Sequence, residues 1–132
     1  GNASDPAIPM RVGIRSDGKE ARTGVRVLGV DSLGRGTWVE ARPHQGRLHQ
    51  IRAHLEHAGF PIVGDLLYDG AGGRGFLARA AGADTEEIQA MVGSARMWLH
   101  ARMLRFPDPE VGMPERLVCP LEGVIWHLPD VP

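Results

Sequence analysis

Alternation of apolar and polar residues predicts two strands in the first third of the chain. Over residues 22–30, Thr23, Val25 and Val27 fall on one face and polar residues or glycine on the other, as in a half-buried strand. Residues 37–42 alternate in the same way. Residues 31–36 between them contain two glycines and have the composition of a turn. The two stretches therefore predict a hairpin.

A helical period follows the hairpin. Over residues 47–58, apolar side chains recur at steps of three and four residues and so stack on one face: Leu48, Ile51, Leu55 and Ala58. Gly59 is placed to end this helix in the left-handed conformation. Farther along, Asp84 is placed to cap a short helix over residues 85–92.

The remaining segments complete the prediction of the fold. Residues 1–18 are predicted to be an extended segment that leads into the first strand. Residues 70–83, which are dominated by glycine and alanine, are predicted to be a loop. Three further strands are predicted, separated by a proline-rich segment at 107–114: residues 98–106, 116–119 and 124–128. Together these elements predict an α+β fold, with a mixed, mainly antiparallel sheet and a few helices in one domain over residues 1–132.

Composition limits the kind of protein. A chain of 132 residues, 42% of them hydrophobic, can form one modest domain. No run of about 18 apolar residues occurs, so we expect no membrane span. The lone Cys119 excludes an intrachain disulfide framework and fits a reducing cytoplasm, where we expect the protein to act.

The charges are unevenly distributed. The formal net charge of −1 argues mildly against a nucleic-acid binder. However, fourteen of the fifteen cations are arginine, and Arg42, Arg47 and Arg52 fall in one stretch whose only acid is Glu56. Arginine suits phosphate recognition because its planar fork bonds two oxygens at once. Solvated surface charge remains the alternative interpretation of any one of these arginines.

Arg52 lies at the edge of the apolar face of the first predicted helix, which makes it half-buried and in need of an anionic partner. Glu56, one turn later, is one candidate, through an ordinary contact along the helix. A carboxylate or phosphate in a cleft is the other. The helix start near Gly46 and Arg47 would favour anions too, through its free N–H groups.

Four histidines lie in the same stretch, and they raise the question of a metal site. The segment His54-Leu55-Glu56-His57 is one residue shorter than the H-x-x-E-H motif of a class of zinc proteases. No cysteine or acidic cluster completes a metal site. We therefore expect no metal.

Four motifs, in order along the chain, carry a family resemblance. Residues 46–70, GRLHQIRAHLEHAGFPIVGDLLYDG, resemble the G-R-T-H-Q-I-R-V-H-L…G-H-P-I-x-G-D…Y-G hallmark of RluA-type pseudouridine synthases. Residues 18–23 are similar to the family's G-K-x-A-x-T, residues 99–101 to its L-H-A, and residues 119–121 to its A-P-L-P. The resemblance thus covers nearly the whole chain.

The resemblance implies an RNA-modifying isomerase that flips a uridine out of folded ribosomal or transfer RNA, breaks its N-glycosidic bond and rejoins the uracil through C5, without cofactor or metal. It implies that Arg52 pairs with the catalytic aspartate of the family. The other site residues that it suggests are Gly46, Arg47 and Arg42 near the RNA, His49 and Gln50 as braces of the helix, and Gly64 and Asp65 as a structural turn.

The sequence departs from the family pattern in ways that bear on whether this chain can be active alone. The H-R-L-D-x-x-T-S-G segment that carries the family's aspartate does not occur in the sequence, and Tyr68 does not match the tyrosine that packs on the target base. At two positions the family has threonine and this sequence has Gln45 and Leu48. At two others the family has histidine and this sequence has Phe60 and Asp108.

Two hypotheses remain open. In the first, the chain is the C-terminal part of a synthase catalytic domain that is inactive alone, exposes an apolar face and self-associates to cover it. In the second, it is a non-catalytic RNA-binding or interaction domain derived from this fold.

Overall fold

The computed structural model describes residues 8–107 and 114–118, with side chains for residues 8–104. Within these ranges lie β1 (Thr23–Val30), β2 (Thr37–Pro43), α1 (Gln50–His57), α2 (Arg74–Ala80), α3 (Thr85–Val92), β3 (Met103–Pro107) and β4 (Pro114–Val118). The described strands form two antiparallel pairs, β1 with β2 and β3 with β4. The predicted α+β class is confirmed.

The first pair is the predicted hairpin. Its register runs from Thr23 opposite Pro43 to Val30 opposite Thr37, and it shifts by one residue between Val27 and Gly29. This shift is a β-bulge, which leaves one residue of β1 without an opposite partner and increases the local twist.

One face of the hairpin is apolar and exposed. Val25, Val27 and Val30 share this valine face, and their exposed fractions are 50%, 67% and 67%. The prediction that β1 is half-buried is therefore wrong for the valines. The cause is that α1 meets the hairpin at its open end, through Thr23, and no other described element covers the rest of the face.

A cluster that we call the tip clamp closes the other end of the hairpin. The buried Asp31 carboxylate accepts hydrogen bonds from Arg35 Nε at 2.8 Å and Nη2 at 3.0 Å. The Arg35 guanidinium lies 4.6 Å from the ring centre of Trp98, and Trp98 stacks on Trp38 with centroids 5.7 Å apart. The side-chain bonds from Arg35 lower the pKa of Asp31 to about 2. The tip of the hairpin is thereby fixed to the segment that follows α3.

Helix α1 begins three residues later than predicted. His49, the residue before it, has the left-handed values φ 53 and ψ 22, so the helix does not extend back to residue 47. The predicted end is confirmed: Gly59 has φ 88, and the Gly59 and Phe60 N–H groups bond the carbonyls of Glu56 and Leu55.

The buried face of α1 also differs from the predicted one. Gln50 and Ala53 are buried, whereas Leu48 lies before the helix and is 57% exposed. Since the helix starts at Gln50, that side chain turns toward β1, where it donates to the Arg22 carbonyl.

The predicted loop at 70–83 is wrong, because it contains α2. Three backbone N–H groups around the start of this helix donate to one carboxylate, that of Asp69, at 2.8–2.9 Å. Gly75 is buried, and a Cβ there would lie 2.8 Å from Val92 and 3.2 Å from Leu66. Close packing against α3 and the chain before it therefore outweighs the weak helix propensity of glycine.

Helix α3 forms as predicted over Thr85–Val92, with Asp84 as its cap. Strand β3 begins at Met103 rather than at residue 98, because Trp98 donates its N–H to the Val63 carbonyl outside the ladder. Strand β4 begins two residues earlier than predicted, at Pro114. The predicted strand at 124–128 lies outside the described residues.

The described core is small and lies under α1. It joins the start of the described chain to the segment after α1, through four buried residues: Ile8, Ala53, Leu67 and Tyr68. Val12 and Phe76 pack against this cluster. No helix in the part of the chain that the structure describes is long and apolar enough to cross a membrane.

Candidate functional site

Arg52 makes a two-pronged ion pair with Asp65. Its Nε donates to Asp65 Oδ2 at 2.7 Å, and its Nη2 donates to Oδ1 at 2.8 Å. The two residues are thirteen positions apart, and the pair joins α1 to the segment that follows it. A bidentate pair fixes both the position and the plane of the guanidinium.

Asp65 is a fully satisfied and inaccessible carboxylate. Its side chain is 0% exposed, and Oδ1 also accepts the N–H groups of Leu67 at 2.9 Å and Tyr68 at 3.0 Å. Burial raises the pKa of Asp65, but the hydrogen bonds from Arg52 and the two amides outweigh it, so the pKa lies below its usual value. Asp65 is therefore an ionised anchor that cannot touch a substrate.

The Arg52 guanidinium is only partly covered. Its side chain keeps 16% exposure, and one edge, Nε with Nη2, faces Asp65. Among the described residues no second acceptor bonds the guanidinium, which carries five N–H donors. Arg52 thus keeps N–H groups that no described acceptor uses, while part of its side chain is exposed.

Tyr68 is the platform beneath this arginine. The ring is buried, with the Arg52 guanidinium 4.9 Å from its centre and that of Arg11 at 5.3 Å. Both distances lie within the range of a cation–π contact. The Tyr68 hydroxyl accepts the Val12 N–H at 2.8 Å, which ties the platform to the beginning of the described chain.

His49 contacts the same tyrosine. Its Nδ1 lies 3.1 Å from the Tyr68 hydroxyl, and the two rings meet edge to face at 5.6 Å. Burial and the nearby Arg52 lower the pKa of His49, against an opposing effect of Asp65, so the ring is neutral at pH 7. In the neutral ring the tautomer decides which of the two groups, Nδ1 or the hydroxyl, donates the proton of this bond. This bond accompanies the left-handed backbone of His49, a conformation that is strained for any residue but glycine.

Gln50 joins α1 to the hairpin. Its Nε2 donates to the Arg22 carbonyl at 2.8 Å and to Thr23 Oγ1 at 3.1 Å, and its Oε1 accepts the Arg47 N–H. A buried amide side chain with three partners holds the helix start in one position.

The three residues that the resemblance places near RNA lie on the surface before α1. Gly46 and Arg47 are exposed. The Arg42 side chain is 74% exposed and bonds Glu40. Since α1 starts at Gln50, Gly46 lies in the loop between β2 and the helix and not at its first turn.

Glu56 is not the partner of Arg52. Its Oε2 accepts Arg11 Nη2 at 2.7 Å, and its Oε1 accepts the Gly70 N–H. The alternative of a contact along the helix is therefore wrong. The sequence prediction missed Arg11, because residues 1–18 have no period that would place one of them beside α1.

No group of three or more His, Cys, Asp or Glu residues within the described ranges is arranged to hold a metal ion. His54 instead bonds Thr23 Oγ1 through Nδ1, at 2.9 Å.

Comparison with known proteins supports the family resemblance that the four sequence motifs indicate. A family model described as RNA pseudouridylate synthase matches residues 4–57. The ribosomal large subunit pseudouridine synthase D of Xanthomonas campestris pv. campestris is 36% identical over 123 residues, which are 93% of this chain and 35% of that protein. Over most of its length the chain is therefore similar to the RluA-type pseudouridine synthases.

Other relatives are similar over the same span. The ribosomal large subunit pseudouridine synthase C of Yersinia pestis is 35% identical over 88% of this chain and 32% of its own length. An uncharacterized RNA pseudouridine synthase of Chloroflexus aurantiacus is 34% identical over 89% of this chain and 31% of its own. The chain spans about a third of the length of these curated pseudouridine synthases.

Proposed function

We propose that this chain supplies the supporting arginine, Arg52, to the active site of an enzyme that converts uridine to pseudouridine in RNA. The observation that carries the proposal is the geometry of that arginine. Asp65 holds one edge of the guanidinium, Tyr68 lies under its plane, and the outer edge keeps the capacity to bind one more carboxylate. The family's catalytic aspartate is the carboxylate that fits there.

The role of Arg52 follows from simple electrostatics. A carboxylate that shares a fixed guanidinium stays ionised and keeps one rotamer, which is what a reacting aspartate needs. Asp65 is not the reacting aspartate, since its side chain is fully buried and already accepts hydrogen bonds from four N–H groups. The reacting aspartate is therefore assigned to a part of the parent enzyme that this chain does not contain, in keeping with the absence of the H-R-L-D segment from the sequence.

Ribosomal RNA is the proposed substrate. The relatives from Xanthomonas campestris and Yersinia pestis are named as ribosomal large subunit pseudouridine synthases. In this chain, Arg42, Gly46 and Arg47 offer exposed donors ahead of α1, where arginine can bond phosphate oxygens. Transfer RNA is the alternative substrate to be included in any assay.

The test uses the product of the complete gene that encodes this chain, incubated with transcripts of large-subunit ribosomal RNA and with transfer RNA. Pseudouridine is then mapped by a chemical label that stops reverse transcription. We expect turnover on ribosomal RNA, and we expect Arg52→Ala to lower kcat by about 100-fold or more, because a misplaced reacting group costs that much.

Arg79→Ala is the matched control. Arg79 is an exposed arginine on α2, and its loss should leave kcat within about twofold, as for surface changes away from a site. Full activity of the Arg52→Ala enzyme would refute the role of Arg52. RNA binding without turnover by the unchanged protein would favour the non-catalytic alternative.

The 132-residue chain alone is proposed to form no pseudouridine. It carries the arginine but no match to the catalytic segment. Release of tritium from C5-labelled uridine in RNA, measured with the purified chain, checks this directly, and any turnover above background contradicts it.

A further inference from the structure

We propose that Asp65 is a positioning residue for catalysis, which acts through Arg52 by holding its guanidinium at the height and angle that the reacting carboxylate requires. This inference rests on the proposed function of Arg52 and extends it to a second residue. The sequence resemblance suggested only a local turn role for Asp65.

The two carboxylate oxygens of Asp65 accept different hydrogen bonds. This difference distinguishes a role in the local turn from a role in positioning Arg52. Both backbone amides, those of Leu67 and Tyr68, donate to Oδ1. Oδ2 accepts Arg52 Nε at 2.7 Å, and no other described group bonds it. A residue that served only the turn would need Oδ1 alone.

The surroundings of the pair explain why one carboxylate is enough to fix the arginine. Asp65 is fully buried and cannot change rotamer without losing its amides. Tyr68, whose ring lies 4.9 Å from the guanidinium, is itself buried and tied to Val12. The guanidinium is therefore restrained along one edge by Asp65 and across its plane by Tyr68, and no described acceptor bonds its remaining N–H groups.

Asp65→Asn breaks one of these functions and spares the other. The amide oxygen of asparagine can keep the bonds from Leu67 and Tyr68, while its NH₂ group then faces Arg52 Nε, donor against donor. The turn survives, whereas the arginine loses the Nε bond and the negative charge and keeps only the bond from Nη2 to the remaining oxygen. In the complete gene product, we expect kcat on ribosomal RNA to fall roughly 10- to 100-fold, with KM for the RNA within about twofold.

Asp69→Asn is the matched control. Asp69 is four residues farther along, and it accepts the backbone N–H groups of Ala71, Gly73 and Gly75. It makes no ion pair with any described residue, so this variant perturbs a neighbouring loop without touching Arg52. Its kcat should stay within about twofold of wild type. An equal loss of kcat in Asp65→Asn and Asp69→Asn would overturn the proposal.

A double variant tests whether Asp65 acts through Arg52. If it does, Asp65→Asn has little further effect on kcat once Arg52→Lys has removed the two-pronged pair, because coupled residues are not additive. A structural role gives the same fold-loss in both backgrounds, and that additive result would refute the proposal.

A spectroscopic readout keeps the proposal testable without activity. With ¹⁵N-labelled arginine in the complete gene product, the Arg52 Nε–H, assigned from its absence in Arg52→Lys, should exchange at least about tenfold more slowly than that of an exposed arginine. Rapid exchange in the wild type would overturn the inference, even if Asp65→Asn failed to fold. Slow exchange in a protein without turnover would leave the anchor in place and remove the proposed function instead.

Discussion

At the scale of single residues, nearby backbone atoms determine whether a glycine can be replaced by a residue with a side chain. Gly64 is the clearest case, because it has φ 79 and an added Cβ would lie 2.0 Å from the Arg96 carbonyl oxygen. That oxygen belongs to the main chain and cannot swing aside. Gly64 precedes Asp65, so this close approach also sets the position of the anchor of Arg52.

We expect Gly64→Ala to lower the free energy of unfolding by roughly 3 kcal/mol, from the clash together with the left-handed backbone. Denaturation of the 132-residue chain in guanidinium chloride measures this. Gly59→Ala is the control: Gly59 has φ 88 but nothing within 4 Å of an added Cβ, so only about 1 kcal/mol is expected. Similar losses in the two variants would show that the contact with Arg96 is unimportant.

At the scale of helices, α2 and α3 are close neighbours that hold their first turns by different means. Helix α3 carries its cap within its own sequence: Asp84 accepts the Glu87 N–H at 2.9 Å, and the Glu87 carboxylate accepts the Asp84 N–H at 2.9 Å. Helix α2 depends on Asp69, which lies five residues before its first residue.

Removal of the α3 cap should have a modest and local effect. Asp84→Ala is expected to lower the free energy of unfolding by about 1 kcal/mol, the usual cost of a lost N-cap. Glu86→Ala, a change of the other first-turn acid, should lower it by only about 0.3–0.5 kcal/mol through the helix dipole. Thermal melts of the two variants give the comparison, and equal melting temperatures would contradict the role of the cap.

The contrast between these two helices shows how far the sequence could predict the fold. Helix α3 and the hairpin are encoded by short-range patterns, and both were predicted correctly. Helix α2 is held by Asp69 and by the packing of Gly75 against Leu66 and Val92, and a glycine-rich composition gives no sign of these contacts. The same reason applies at the site: the motif around Arg52 was recognisable, but its partner Asp65 becomes visible only when the chain is folded.

At the scale of the whole chain, the valine face is the main uncovered apolar surface that the hairpin presents. Val25, Val27 and Val30 are each at least half exposed, on a sheet that has two strands within the described ranges. Contiguous exposed apolar residues of this kind favour association, as do unpaired strand edges.

We expect the purified 132-residue chain to self-associate with rising concentration. The double change Val25→Thr and Val27→Thr should weaken this association by at least about tenfold, since burial of each lost methyl group contributes roughly 0.8 kcal/mol. Sedimentation velocity over a concentration series measures it. Leu77→Thr, at a 44% exposed leucine on α2, serves as the control and should leave the association unchanged. A chain that stays monomeric at every concentration would contradict the expectation.

The tip clamp has a consequence for proteolysis. A trypsin-like protease draws the arginine side chain before the cut into an acidic pocket of its own. Arg35 lies in an exposed turn, yet its guanidinium must first leave both the Asp31 carboxylate and the Trp98 ring. Among the fourteen arginines of the chain, Arg35 is therefore protected from digestion for as long as the hairpin stays fixed to the segment after α3.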